Sequence, residues 1–176
     1  MTEHAHIVVQ AAQEEWSRHV EEPPGKGSDR IDAYIRAASS MAWAWLKRYI
    51  RNGQSQWCGA FAAHCFGVAG LSKSARVKHL PSTYRLDQWC QKNPARRVRP
   101  EDLRPGDIGV VGTRKGYGDH ITIVVEVVDP GHIVTIEGNG RGQFPAGSSG
   151  EGVIRRRRHL NDFRYGVRPL PTDYDQ

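Results

Sequence analysis

No stretch of this chain approaches the ~20 consecutive apolar residues that a membrane-spanning helix needs. Its opening, MTEHAHIVVQAAQEEW, also lacks the basic start and unbroken apolar core of a secretion signal. The expectation is a protein made soluble in the cytoplasm without a signal peptide, with any action outside depending on another delivery route. Cysteine is scarce. Cys58, Cys65 and Cys90 form an odd set with no CxxC pair, which argues against a zinc site, thioredoxin-type redox chemistry and a disulfide framework. Cys58 and Cys65 on one helix would stand about 10 Å apart, beyond disulfide reach. At least one thiol is therefore free.

Internal repeats are absent as well, and 176 residues make one ordinary domain rather than two. A net charge of +6 favours polyanionic surroundings, such as nucleic acid, anionic lipid or an anionic wall. The run Arg155-Arg156-Arg157-Arg158 has the look of a nucleic-acid patch. Its neighbours Val153, Ile154 and Tyr165-Gly-Val167 read as strand, however, so solvated arginines on a strand are expected. The aromatic residues fall at apolar helix positions instead of alternating with basic ones, which argues against a nucleic-acid partner.

Apolar spacing predicts a helix over Ile7 to Val20, stopped by Glu22-Pro-Pro-Gly25, then two helices within Asp29 to Ile50 broken near Ser39-Ser40. Trp57, Phe61, Cys65 and Val68 share one face of a further, buried helix that Gly70-Leu71 closes. Lys73 to Pro105 reads as irregular, with a short helical piece from Tyr84 to Cys90. Strands are predicted at Asp107 to Val111, His120 to Val128, His132 to Asn139, Gly152 to His159 and Tyr165 to Pro169. Gly140 to Gly152 reads as a mobile loop. Helices first and strands afterwards predict an α+β fold, with N-terminal helices packed on a C-terminal antiparallel β-sheet.

A cysteine nucleophile needs its thiolate stabilised, and the first turn of a helix beside an imidazole does this. Cys58 begins the apolar helix and is followed by the small residues Gly59 and Ala60. His120 opens an apolar strand on the same face as Thr122 and Val124. If Asp129 and His132 pair across the following turn, residues 122 and 139 pair, as do 124 and 137. That register makes Asn139 the diagonal neighbour of His120, whereas Glu137 comes into reach only through a bulge or bend.

The segments Trp57-Cys-Gly-Ala-Phe-Ala-Ala-His-Cys65, Gly70-Leu71, Pro105-Gly-Asp-Ile108, Asp119-His-Ile-Thr-Ile-Val124, Ile136-Glu-Gly-Asn139 and Tyr165-Gly-Val-Arg-Pro169 together resemble the CHAP amidase/peptidase pattern, in particular its phage-related branch. Glu14-Glu15 through Glu22-Pro-Pro-Gly25, and Ile31 to Tyr34, resemble the leader helix of that branch. The resemblance implies a papain-like fold and a cysteine hydrolase that cleaves peptidoglycan, either between muramic acid and L-alanine or within the stem peptide or cross-bridge. It makes Cys58 the nucleophile and His120 the base. Glu137 and Asn139 both stand at positions where the family keeps acidic or amide groups, and Glu137 is ranked first as the orienting group.

The organisation implied is one catalytic domain over 1–176, with leader helices in 1–50, the nucleophile helix in 57–70 and the sheet in 107–170. Gln56 and Trp57 are the expected substrate-contacting residues, and Gln54 or Gln56 the expected side-chain partner of the oxyanion beside the Cys58 N–H. Some relatives bind calcium through acidic residues just before the nucleophile. Tyr49 to Gln56 contains none, so neither metal nor cofactor is expected, and the length leaves no room for a separate wall-binding domain. The expected partner is bacterial peptidoglycan, met by a monomer, with an immunity-type inhibitor protein if the enzyme is an injected antibacterial effector rather than a phage lysis enzyme. The alternatives are a non-catalytic wall-binding module and a cysteine hydrolase acting on another amide.

Overall fold

The computed structural model describes residues 1–22, 28–39, 57–112, 120–143 and 149–175. Short polar side chains begin several of its helices. The Thr2 hydroxyl accepts the Ala5 N–H at the start of α1 (Glu3–Ser17), and the Ser28 hydroxyl accepts that of Ile31 at the start of α2 (Asp29–Ala37). The central helix α3 (Cys58–Val68) is closed by Gly70 at φ +84°. There the Leu71 N–H donates to Phe66 O at 2.9 Å and the Gly70 N–H to Gly67 O at 3.1 Å, the paired bonds of a Schellman cap. Small side chains let α3 bury nearly all round. Val68 departs from the predicted buried face and lies exposed.

Two more helices follow, α4 (Lys73–His79) and α5 (Thr83–Lys92). The first corrects the irregular reading of that region. Ser72 caps it and only Ala75 is buried, so it has almost no apolar periodicity to recognise. The region predicted to continue α2 beyond Ser39-Ser40 lies outside the described residues.

A six-stranded antiparallel sheet forms the other layer, in the order β1 (Arg97–Val98), β6 (Phe163–Val167), β2 (Ile108–Val111), β3 (His120–Asp129), β4 (His132–Gln143) and β5 (Ser149–His159). The fold is α+β, as predicted. Of the segment expected to be a mobile loop, residues 140–143 and 149–152 are instead paired strand, with Gly140 facing Gly152, Arg141 facing Glu151 and Gly142 facing Gly150, and 144–148 lie outside the described residues. Glycine lowers strand propensity, but the backbone ladder closes regardless, and the Arg141–Glu151 ion pair at 3.1 Å crosses it. The chain leaving α1 extends the sheet here. Val153 N–H donates to Val20 O at 2.8 Å, and Glu22 N–H to Glu151 O at 2.7 Å.

Two buried carboxylates each tie elements together within one layer. Asp107 is 2% exposed and takes both arms of Arg168, at 2.8 and 2.7 Å, so the PGD and RP segments that stand far apart in sequence meet in space. In α1, Glu15 is 3% exposed and gathers three elements. Arg30 Nε donates to it at 2.7 Å and Arg30 Nη2 donates as well, the Tyr34 hydroxyl donates at 2.6 Å, and His64 Nε2 of α3 lies 3.7 Å away. Burial by itself would raise the Glu15 pKa, but the bonds from His64, Arg30 and Tyr34 outweigh it and hold the carboxyl well below its ordinary 4.5.

A depressed carboxylate pKa gives stability that is present above the unfolded value and is lost as pH falls below it. Glu15→Gln is therefore expected to cost about 2 kcal/mol at neutral pH, a moderate figure because Arg30 is partly solvated. That deficit should shrink below about pH 4.5. Thermal unfolding of both proteins across pH 3 to 7 checks this (roughly the carboxylate range), and parallel curves would contradict the assignment.

Candidate active site

Cys58 is the first residue of α3, where the unpaired N–H groups of the opening turn favour a negative charge. Trp57, just before it, has no side-chain cap of its own. Its backbone N–H donates instead to Asn139 Oδ1 on β4 at 2.8 Å, which fixes the start of the helix to the sheet.

His120 is the first residue of β3 and is mostly buried. The predicted hairpin does start with Asp129 facing His132, but the pairings 122/139 and 124/137 do not form. Register shifts lie between Val124 and Glu126 and between Val127 and Asp129, so Val124 faces Thr135 and Ile123 faces Ile136. Together the two bulges slide β4 by two residues. Continued one step, the register sets Glu137 opposite Thr122, hence diagonal to His120 on the same face.

Side chains follow that placement. His120 Nε2 lies 3.1 Å from Glu137 Oε2, and Cys58 is near enough to the same ring to be among the groups that raise its pKa. A carboxylate only accepts, so Nε2 carries a proton, which leaves Nδ1 as the ring nitrogen to exchange a proton with the thiol. Glu137 is fully buried, yet burial, which would raise its pKa, is outweighed by bonds from His120 and Arg158, and it titrates at about 2. For His120 burial opposes the charged ring. Hydrogen bonds and charge from Cys58 and Glu137 overcome it and lift the pKa to about 9. The imidazolium is thus favoured at neutral pH.

The Glu-Gly-Asn segment has a separate task for each residue. Glu137 faces the imidazole. A Cβ on Gly138 would overlap Phe61 and Trp57, so only glycine lets α3 lie this close to β4. Asn139 sits in a left-handed conformation, φ +59°, where β4 shifts register against β5. This turns its side chain away from His120, correcting the expected diagonal contact. Its Oδ1 holds Trp57, and its Nδ2 donates to Glu151 Oε2 at 2.5 Å.

Trp57, expected to meet substrate, is 1% exposed. Its indole stacks near Tyr34 and its Nε1–H donates to Glu22 Oε2 at 2.8 Å, so the ring belongs to the core. Gln54 and Gln56 lie outside the described residues. No cluster of metal-ligand side chains occurs among the described residues.

Arg158 was missed. Solvated arginines, expected over the whole run 155–158, fit Arg155, Arg156 and Arg157, but the Arg158 side chain is 11% exposed and grips Glu137. The alternation of a strand, projecting Arg156 and Arg158 to one face, was the available signal.

Against known proteins, the family model described as CHAP domain matches residues 49–139, a span that includes Cys58, His120, Glu137 and Asn139. No curated protein and no solved structure matches the chain.

Proposed function

The chain belongs to the CHAP domain family, and from that membership and the arrangement around His120 we propose that it hydrolyses an amide bond of bacterial peptidoglycan through a cysteine acyl-enzyme. The carrying observation is that a buried carboxylate bonds the His120 imidazole at 3.1 Å while Cys58, at a helix N-terminus, is near enough to the same ring to raise its pKa.

In this reading the Cys58 thiolate adds to the amide carbonyl. The oxyanion is met by the backbone N–H of Cys58, which has no acceptor within its own helix. As the C–N bond breaks, His120 gives its proton to the leaving amine, and a thioester remains on Cys58. Water then attacks the thioester with His120 as base, breaking the C–S bond to release a carboxylic acid and restore the thiolate and imidazolium. Glu137 keeps the ring oriented and stabilises its positive form throughout. The scissile bond joins muramic acid to L-alanine, or lies within the stem peptide or cross-bridge.

The place of action is the bacterial cell wall, reached either as a phage lysis enzyme or as an injected antibacterial effector. A neighbouring holin gene would favour the first, and a small periplasmic inhibitor encoded alongside would favour the second.

Digestion of purified peptidoglycan followed by mass spectrometry of the soluble fragments tests the reading. New amino termini paired with new carboxyl groups are expected, and their masses identify the bond. A wall-binding module without catalysis would release nothing. The pH profile adds a second check, because a raised imidazole pKa keeps the proton donor charged below about 9 and loses it above. The rate should fall on the alkaline side with a midpoint near 9, and Glu137→Gln should move that midpoint down. A midpoint unmoved by this change would contradict the role given to Glu137.

A further inference from the structure

Three donors besides His120 Nε2 converge on the Glu137 carboxylate. Arg158 Nε donates to Oε1 at 2.5 Å and Arg158 Nη2 to Oε2 at 2.7 Å, while the Thr135 hydroxyl donates to Oε1 at 2.5 Å. Each carboxylate oxygen therefore carries two hydrogen bonds, and the group has no freedom to rotate away from the ring. We propose that Arg158 is a positioning residue of the active site, its guanidinium fixing Glu137 in the orientation that sets the geometry and proton affinity of His120. This rests on reading Cys58, His120 and Glu137 as the catalytic set.

The physical case has two parts. A glutamate reaches across a buried face through three rotatable bonds, and an imidazole alone offers it a single bond at 3.1 Å. The planar fork of Arg158 adds two more in one plane and fixes the carboxylate along both axes, which a lysine ammonium cannot do. The permanent cation also shares the carboxylate charge with His120. Without it the imidazolium would face Glu137 unopposed and hold its proton more tightly, making it a poorer donor to the leaving amine.

This assigns a use to the fourth arginine of a run whose other members do surface work. Arg155 Nη2 donates to Glu126 at 2.8 Å and Arg157 Nη2 to Asp129 at 2.9 Å, both pairs exposed.

The test compares Arg158→Met, Arg158→Lys and, as a surface control, Arg157→Ala in the full chain. Two readouts are used: turnover on cell walls, and the titration midpoint of the His120 ring followed by nuclear magnetic resonance. Arg158→Met is expected to lose about a hundredfold in turnover, the scale of a misplaced catalytic group, and to shift the His120 midpoint upward. Arg158→Lys keeps the charge without the fork, so its midpoint should stay near the original while turnover drops about tenfold. Arg157→Ala should change neither. Arg158→Met with unaltered turnover and midpoint overturns the proposal. If that variant does not fold, Arg158→Lys with unaltered turnover overturns it equally. The His120 titration needs no substrate. An upward shift in Arg158→Met alongside an unsubstituted protein that leaves walls intact would therefore keep the Arg158, Glu137 and His120 coupling and remove the wall-hydrolase reading instead.

Discussion

Cell walls treated with Cys58→Ala are expected to keep their turbidity, at a rate at least about a thousandfold below that of the unsubstituted chain. Nothing else at the site can take over attack on the carbonyl, because His120 and Glu137 are arranged to move a proton and hold a charge. Alanine suits the position: α3 already carries Ala60, Ala62 and Ala63, so the helix and its contacts should survive the change. The other two thiols make the contrast. Cys65 is completely buried, and that burial, with the Glu15 charge adding to it, pushes its pKa well up. Burial likewise raises Cys90 to about 11. Neither is a thiolate at neutral pH, so Cys65→Ala and Cys90→Ala should lose a little packing and retain activity. Equal loss from all three substitutions would assign the thiols to the core and leave the site without a nucleophile. Far-ultraviolet circular dichroism of each variant separates lost chemistry from lost fold.

How far the sequence foretold this site depends on what kind of signal each residue sends. Cys58 stands out because a polar stretch turns into an apolar helix just before it, and His120 because it opens a strongly alternating strand. The layer order also follows from periodicity, which changes from helical to alternating between the first and second halves of the chain. The bulges in β3 send no such signal. No glycine or proline marks Val124 to Asp129, and a β-branched run reads as an uninterrupted strand. The naive register therefore pointed to Asn139 as the diagonal neighbour of His120. Arg158 was hidden differently, since four identical residues erase the contrast between the two faces of a strand. α4 escaped notice because a short helix with one buried residue is stabilised by its cap and its neighbours, neither of which shows as an apolar stripe. The glycine-rich stretch after Asn139 carries the composition of a loop, while its pairing with β5 leaves no mark in composition. Gly140 and Gly142 pair across the ladder with Gly152 and Gly150.

Glu137→Gln is expected to lower turnover on peptidoglycan by about a hundredfold, corresponding to roughly 3 kcal/mol of transition-state stabilisation. Glutamine can still accept the imidazole N–H, so the tautomer survives. What disappears is the full negative charge beside the imidazolium, and in a buried site that charge is weakly screened. The loss should appear mainly in the chemical step, together with the lowered alkaline midpoint. Asn139→Ala acts elsewhere. It removes the acceptor for the Trp57 N–H and the donor to Glu151, loosening the residue that directly precedes Cys58. Its effect should be about tenfold, from a less well placed thiol, and the alkaline midpoint should stay where it was. Measuring both variants on one peptidoglycan preparation across pH separates charge stabilisation from helix placement. Because Arg158 would lose its anionic partner in Glu137→Gln, thermal unfolding must first show that this variant is folded at the assay temperature. Nearly unaltered turnover for folded Glu137→Gln, beside a nearly dead Asn139→Ala, would reverse the ranking and make Asn139 the residue on which the imidazole and the thiol both depend.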